Sequence, residues 1–284
     1  MLSQSTRYYL PEPSHWPVIG SCALLLMAIG AVLWMNGVGS GPWVVLAGMG
    51  VLVYMMTGWF GTVIRESESG LFNKQVDVSF RWGMSWFIFS EVMFFAVFFG
   101  ALFYMRVLSV PWLGSGETVM QLWPGFSAQN WPISGPGIEE TFTPMGAWGI
   151  PAINTLILLA SGVTVTWAHW GLTKNRRAQL IWGLIATVAL GTLFLGLQAY
   201  EYVHAYRELN LTLNMGAYGA TFYMLTGFHG FHVTIGTIML IVILLRSIKG
   251  HFRADHHFAF EGVSWYWHFV DVVWLLLFVL VYWL

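Results

Sequence analysis

Seven long runs of apolar residues, separated by short polar segments, dominate the chain. They cover residues 18–34, 43–63, 82–104, 148–169, 180–200, 218–245 and 262–284. Most are close to the roughly 20 residues that an α-helix needs to cross about 30 Å of hydrocarbon. Membrane strands would instead show stretches of about ten residues alternating apolar and polar, and no such alternation is present. The pattern therefore predicts an all-α, polytopic membrane protein with seven transmembrane helices. Between the first two runs lies Asn36-Gly37-Val38-Gly39-Ser40-Gly41-Pro42, which is turn chemistry and predicts a tight helical hairpin. The first run lacks a basic segment directly before it and a small-residue cleavage site after it, so it reads as a span and not as a signal peptide.

The polar connections fix an expected orientation. Of the 12 Lys and Arg residues, all but Arg106 and Arg207 fall on one side of the predicted spans. Basic residues accumulate in short cytoplasmic loops, which places the N-terminus inside and the C-terminus outside. The longest connection, residues 106–147, lies on the outer side and carries Pro111, Pro124, Pro132, Pro136 and Pro144 with Glu117, Glu139 and Glu140. Its aromatics, Trp112, Trp123, Phe126 and Trp131, predict an ordered cap on the membrane surface. One membrane domain, residues 1–284, is expected, with a two-helix arm at 18–63 and a five-helix bundle at 82–284.

Composition narrows the function. Only 9% of the residues are charged and 57% are hydrophobic, against about 25% charged in a soluble domain. A net charge of -1 offers no basic footprint for nucleic acid. A single cysteine, Cys22, excludes a disulfide framework, an iron–sulfur cluster and C-x-x-C-H haem attachment.

The chemistry lies in the few polar residues within the spans. Glu91 is roughly 14 Å along the helix from Trp82, close to mid-membrane. An acid there is either a proton site or a structural group with a dedicated partner. Asp271 follows His268 by three residues, so the two share a helix face and can pair. His229 and His232 are spaced likewise. His232 and His268 could lie at similar depth, which leaves a bis-histidine haem conceivable. His169 and His204, however, fall at opposite ends of their spans, and no complete metal-ligand set closes. The glycines around His229 and His232 read instead as close helix contacts with histidines bonding between helices. At the inner interface Trp59, Arg65 and Glu66 end the second span, and Arg246, Lys249 and His251 end the sixth. Such clusters bind anionic lipid headgroups, or they simply obey the positive-inside bias. His251, Asp255, His256 and His257 form a titratable loop that either collects protons or is merely solvated.

The sequence resembles subunit III of cytochrome c oxidase, the haem–copper terminal oxidase. The resemblance spans nearly all seven runs. It is carried by Val63-Ile64-Arg65-Glu66-Ser67, Ser90-Glu91-Val92-Met93-Phe94-Phe95, Trp167-Ala168-His169, Gln198-Ala199-Tyr200-Glu201-Tyr202, Thr226-Gly227-Phe228-His229-Gly230 and Trp265-Tyr266-Trp267-His268-Phe269-Val270-Asp271. It implies a subunit without catalytic residues, haem or copper of its own, those centres lying in subunits I and II. It further implies a V-shaped, lipid-filled arrangement in which Trp59, Arg65, Glu66, Arg246 and Lys249 contact phospholipid. Glu91 corresponds to the family's buried acid, which is not its pumped-proton site. The implied role is to stabilise subunit I during turnover and to sustain proton uptake. Quinol-oxidase subunits of the same kind are usually shorter, with five spans, so the cytochrome c branch is expected. The long outer loop points to a bacterial plasma membrane, with the mitochondrial inner membrane as the alternative.

Overall fold

The computed structural model describes residues 8–115, 117–123, 126, 131, 132, 138 and 141–284. Seven of its helices are long and apolar enough to cross a membrane. These are α1 (Trp16–Met35), α2 (Gly41–Glu68), α3 (Lys74–Phe103), α6 (Ile150–Thr173), α7 (Arg177–Arg207), α8 (Gly216–Lys249) and α9 (Phe258–Leu277). Two short helices, α4 (Val110–Ser115) and α5 (Glu117–Leu122), lie between α3 and α6. π-Helical turns follow α3 and α9, at Tyr104–Ser109 and Phe278–Trp283. The described residues contain no strand; an isolated bridge joins Arg253 to His256.

Several helices outrun their apolar cores. Asn73 starts α3 eight residues before the predicted span, its side-chain Oδ1 accepting the backbone N–H groups of Gln75 and Val76, both at 3.1 Å. That is N-terminal capping, which hydropathy does not register. Gly41 and Pro42, expected in the turn, open α2 instead, because a proline in the first turn costs no hydrogen bond and presets the backbone. The same device starts α1 and α6. Part of the expected outer loop is helical: residues 104–122 carry the first π-turn, α4 and α5. Glu139, Glu140, Pro124 and Pro136 lie outside the described residues.

The chain divides into two compact units, Met1–Phe80 and Arg81–Leu284. In the first, α1 and α2 pack through small residues. Gly20, Ala23 and Gly30 are buried on α1, and Gly41, Gly48 and Met55 on α2 at seven-residue intervals. A side chain added at Gly30 would come within 2.6 Å of the Val45 backbone nitrogen, so glycine there sets how closely the helices approach.

The second unit is organised around α9. Trp267 is fully buried, with its ring against Gly191 of α7 and Gly236 of α8. Its indole N–H donates to Ser161 Oγ of α6 at 2.9 Å. Two turns on, Trp274 repeats the arrangement, donating to Thr155 Oγ1 at 2.9 Å and meeting Phe194 edge-on with ring centroids 4.8 Å apart. Each indole thus fills a large apolar volume while its one donor is satisfied. α3 joins through aromatic contacts, Phe94 with Phe228 and Phe95 with Phe269. Arg106 donates to the carbonyl of Leu284 at 2.6 Å, and Arg177 to that of Ile248 at 2.5 Å. Each bond joins segments distant in sequence at one end of this unit.

Candidate functional site

The polar interior of the second unit centres on Glu91 of α3 and His232 of α8. His232 Nε2 lies 2.8 Å from Glu91 Oε2. The other ring nitrogen, Nδ1, is 2.6 Å from the carbonyl of Phe228 in the preceding turn. A carbonyl only accepts, so Nδ1 carries a hydrogen and donates it. One further proton is then shared between Nε2 and Oε2, and the pair is electrically neutral whichever atom holds it. Neutrality is the form that a half-buried carboxylate at this depth in a low-dielectric bundle takes at least cost. Phe94 and Phe95 flank the imidazole, and the Tyr266 hydroxyl reaches toward the carbonyl of His232 at 3.4 Å. Glu91 therefore has a dedicated partner 141 residues away, a pairing that sequence spacing cannot disclose.

The other membrane histidines find separate partners. His229 is buried, with Nε2 3.2 Å from the carbonyl of Val270. Packing between Trp274 and Phe194 holds its ring. His268 Nδ1 stands 3.8 Å from Asp271 Oδ2, a loose approach for the expected pair. Its Nε2 contacts Thr166 Oγ1 of α6 at 3.2 Å. Asp271 is buried beside Gly162, where any larger residue would meet the carboxylate. His204 bonds Glu208 at 3.0 Å within its own helix end. His232 and His268 are thus each bonded to a different neighbour, Glu91 and Thr166.

Another buried acid escaped sequence reasoning. Glu201 is fully buried and accepts the Tyr282 hydroxyl at 2.7 Å. It sits one residue beyond the apolar run 180–200, and a hydropathy boundary assigns it to the surface. Its position three residues after Gln198, also buried, was the available signal, because the two share a helix face.

The candidate lipid contacts divide between the units. In the first, Trp59 is half-exposed and stacks on Phe60. Arg65 projects outward and donates to Thr62 Oγ1 at 3.2 Å. Glu66 accepts the Tyr9 hydroxyl, which partial burial and then that carboxylate hold above its ordinary pKa. In the second, Arg246 lies over the ring of Phe252, 4.6 Å from its centroid. Lys249 is exposed and His251 half-buried just past the left-handed Gly250 that ends α8.

Seven helices long and apolar enough to cross a membrane, with polar side chains such as Glu91 and His232 bonded between helices, define an integral membrane protein of the helical class. The family described as Cytochrome c oxidase subunit III matches residues 6–284. Cytochrome c oxidase subunit 3 of Marchantia polymorpha is 42% identical over 99% of this chain and 98% of its own. That of Latimeria chalumnae is 42% identical over 100% and 99%, and that of Arabidopsis thaliana 40% over 99% and 97%. The chain belongs to the cytochrome c oxidase subunit III family. It is accordingly an integral membrane subunit of an oxidoreductase complex.

Proposed function

We propose that this chain is the non-redox subunit III of a proton-pumping cytochrome c oxidase, in which it stabilises subunit I during turnover and supports proton uptake at the inner surface. Haem and copper would reside in subunits I and II. The observation that carries the reading is the Glu91–His232 pair. Both imidazole nitrogens are taken, one by a carbonyl and one by the carboxylate, so the most metal-like residue of the membrane interior serves as a neutral bond between α3 and α8. The commitments of His229 and His268 to Val270 and Thr166 support the same reading. The basic bias of the connections supports an N-terminus inside, and the long outer connection supports a bacterial plasma membrane over a mitochondrial inner one. Phospholipid headgroups would be held on the first unit by Trp59, Arg65 and Glu66, and on the second by Arg246, Lys249 and His251. Anionic or zwitterionic phosphate complements both guanidinium groups, and the half-exposed Trp59 suits the interface.

Glu91→Gln tests the reading. The glutamine amide can donate to His232 Nε2 as the shared proton does, but it cannot transfer a proton. In vesicles containing the purified oxidase, the ratio of protons released to oxygen consumed should stay at the wild-type value. Loss of pumping with normal assembly would make Glu91 a proton-transfer element and refute the structural role.

A further inference from the structure

Away from the pairs described above, at the end of the second unit where α6 finishes and α9 begins, three potential ligands converge. His169 is on the last turn of α6, while His257 and Glu261 lie at the start of α9 one turn apart. His169 Nε2 is 3.4 Å from His257 Nε2, and Glu261 Oε1 is 3.2 Å from His257 Nε2 and 3.9 Å from His169 Nε2. The three ligand atoms all lie within 4.8 Å of one another. In a tetrahedral zinc site with bonds of about 2.0–2.1 Å, ligand atoms stand roughly 3.3 Å apart. Two of the three edges therefore have that length already, and the third needs a side-chain adjustment of about half an ångström.

Protonation is also set correctly. His257 Nδ1 is 3.0 Å from the carbonyl of Arg253, so it donates there and leaves the lone pair of Nε2 facing the cluster. This is the orientation that a backbone carbonyl imposes on metal-ligating histidines. The turn carrying that carbonyl is closed by backbone bonds between Arg253 and His256, and the ring of Phe260 packs against His169. His257 Nε2 and Glu261 Oε1 therefore present a lone pair and a carboxylate oxygen to the point that His169 Nε2 also faces, an arrangement that a cation between the three would satisfy. On the far side of the carboxylate, Oε2 is ion-paired with Arg81 of α3, which offsets its charge and leaves Oε1 for the cluster.

We propose that His169, His257 and Glu261 form a binding site for a divalent transition-metal ion, best suited to Zn²⁺, that clips the end of α6 to the start of α9. Two imidazoles and one carboxylate, with no thiolate, suit zinc and its borderline neighbours more than calcium or magnesium, which take six or more oxygens or mostly water. Three protein ligands leave one coordination position for water. The site is partly open: the His169 side chain is 30% exposed, against 10% for His257 and 15% for Glu261. An ion can therefore enter past His169 and exchange with the surrounding solution. Because Arg81 offsets the carboxylate charge, binding is reversible and tunable instead of permanent.

The test uses the intact, detergent-purified oxidase, stripped with a chelator and titrated with ZnCl₂ by equilibrium dialysis. Wild type should take up one zinc equivalent that His169→Gln and His257→Gln bind at least tenfold more weakly. Arg81→Gln keeps all three ligands and removes the competing cation, so it should bind that equivalent severalfold more tightly. It also decides the matter should a histidine variant fail to assemble. Occupancy of the site should raise the temperature at which this chain leaves the complex, an effect missing in both histidine variants. Isotherms of the histidine variants that superimpose on wild type, or weaker binding by Arg81→Gln, would overturn the proposal.

Discussion

Glu91 and His232 show how a polar group survives inside an apolar bundle. Each would be costly alone, since an unsatisfied buried partner costs about 1–3 kcal/mol and an uncompensated charge more. Together they form one short bond in which no net charge need exist. The consequence is strong non-additivity. His232→Leu should destabilise the subunit by about 2 kcal/mol by leaving Glu91 unpaired. Glu91→Leu should do comparable harm from the other side. The double variant Glu91→Leu/His232→Leu should recover much of the loss, because two apolar side chains replace a satisfied pair at little net cost. Detergent-resistance midpoints of the four proteins would measure this, and strictly additive losses would show that the two groups are not coupled. His229 follows the same logic with a backbone carbonyl as partner. The pairings were not readable beforehand. The sequence marks Glu91 as an acid needing a partner, but choosing His232 over His229, its neighbour one turn away, requires knowing which face of α8 meets α3.

At the scale of elements, spans were legible and ends were not. An apolar run reports the hydrocarbon-embedded part of a helix, so seven runs gave seven helices. It is blind to turns that continue into the interface on backbone bonds and caps, as α3 does from Asn73 and α7 does past Glu201. The π-turn and short helices at 104–122 escaped for a related reason: Pro111 and Gly114 read as loop, yet Pro111 falls in the first turn of α4, where its missing N–H is harmless. The α1–α2 hairpin was legible from its turn, whereas its packing depends on glycines whose role emerges only in three dimensions. Gly48 is the sharpest case, since a Cβ there would lie 2.7 Å from Met27 Cγ and 2.8 Å from the Met27 backbone nitrogen. Gly48→Leu should therefore force α1 and α2 apart and cost about 1–3 kcal/mol by overpacking. By contrast, the same change at Gly50, which has open space beside it, should be nearly silent. Thermal unfolding of the two variants in the same detergent separates the outcomes, and equal effects would contradict the packing assigned to this hairpin.

For the molecule as a whole, membership of the cytochrome c oxidase subunit III family is the basis of the role proposed above, that of a helical subunit stabilising its partner during turnover and sustaining proton uptake. Side chains such as Trp267, Trp274, His229 and His232 bond α3, α6, α8 and α9 of the second unit to one another. The outward faces of α1, α2 and α3 remain apolar, with Val18, Leu24, Trp43, Val53, Trp86 and Val97 all exposed, as lipid or neighbouring subunits require. The account is tested most directly by preparing the oxidase with and without this chain and following oxygen consumption from the first turnovers onward. It predicts an unchanged haem spectrum and a largely retained initial rate at a pH where proton uptake is not limiting, followed by inactivation many-fold faster in the preparation lacking the chain. A missing haem or copper signal in that preparation, or an equal working lifetime, would contradict it.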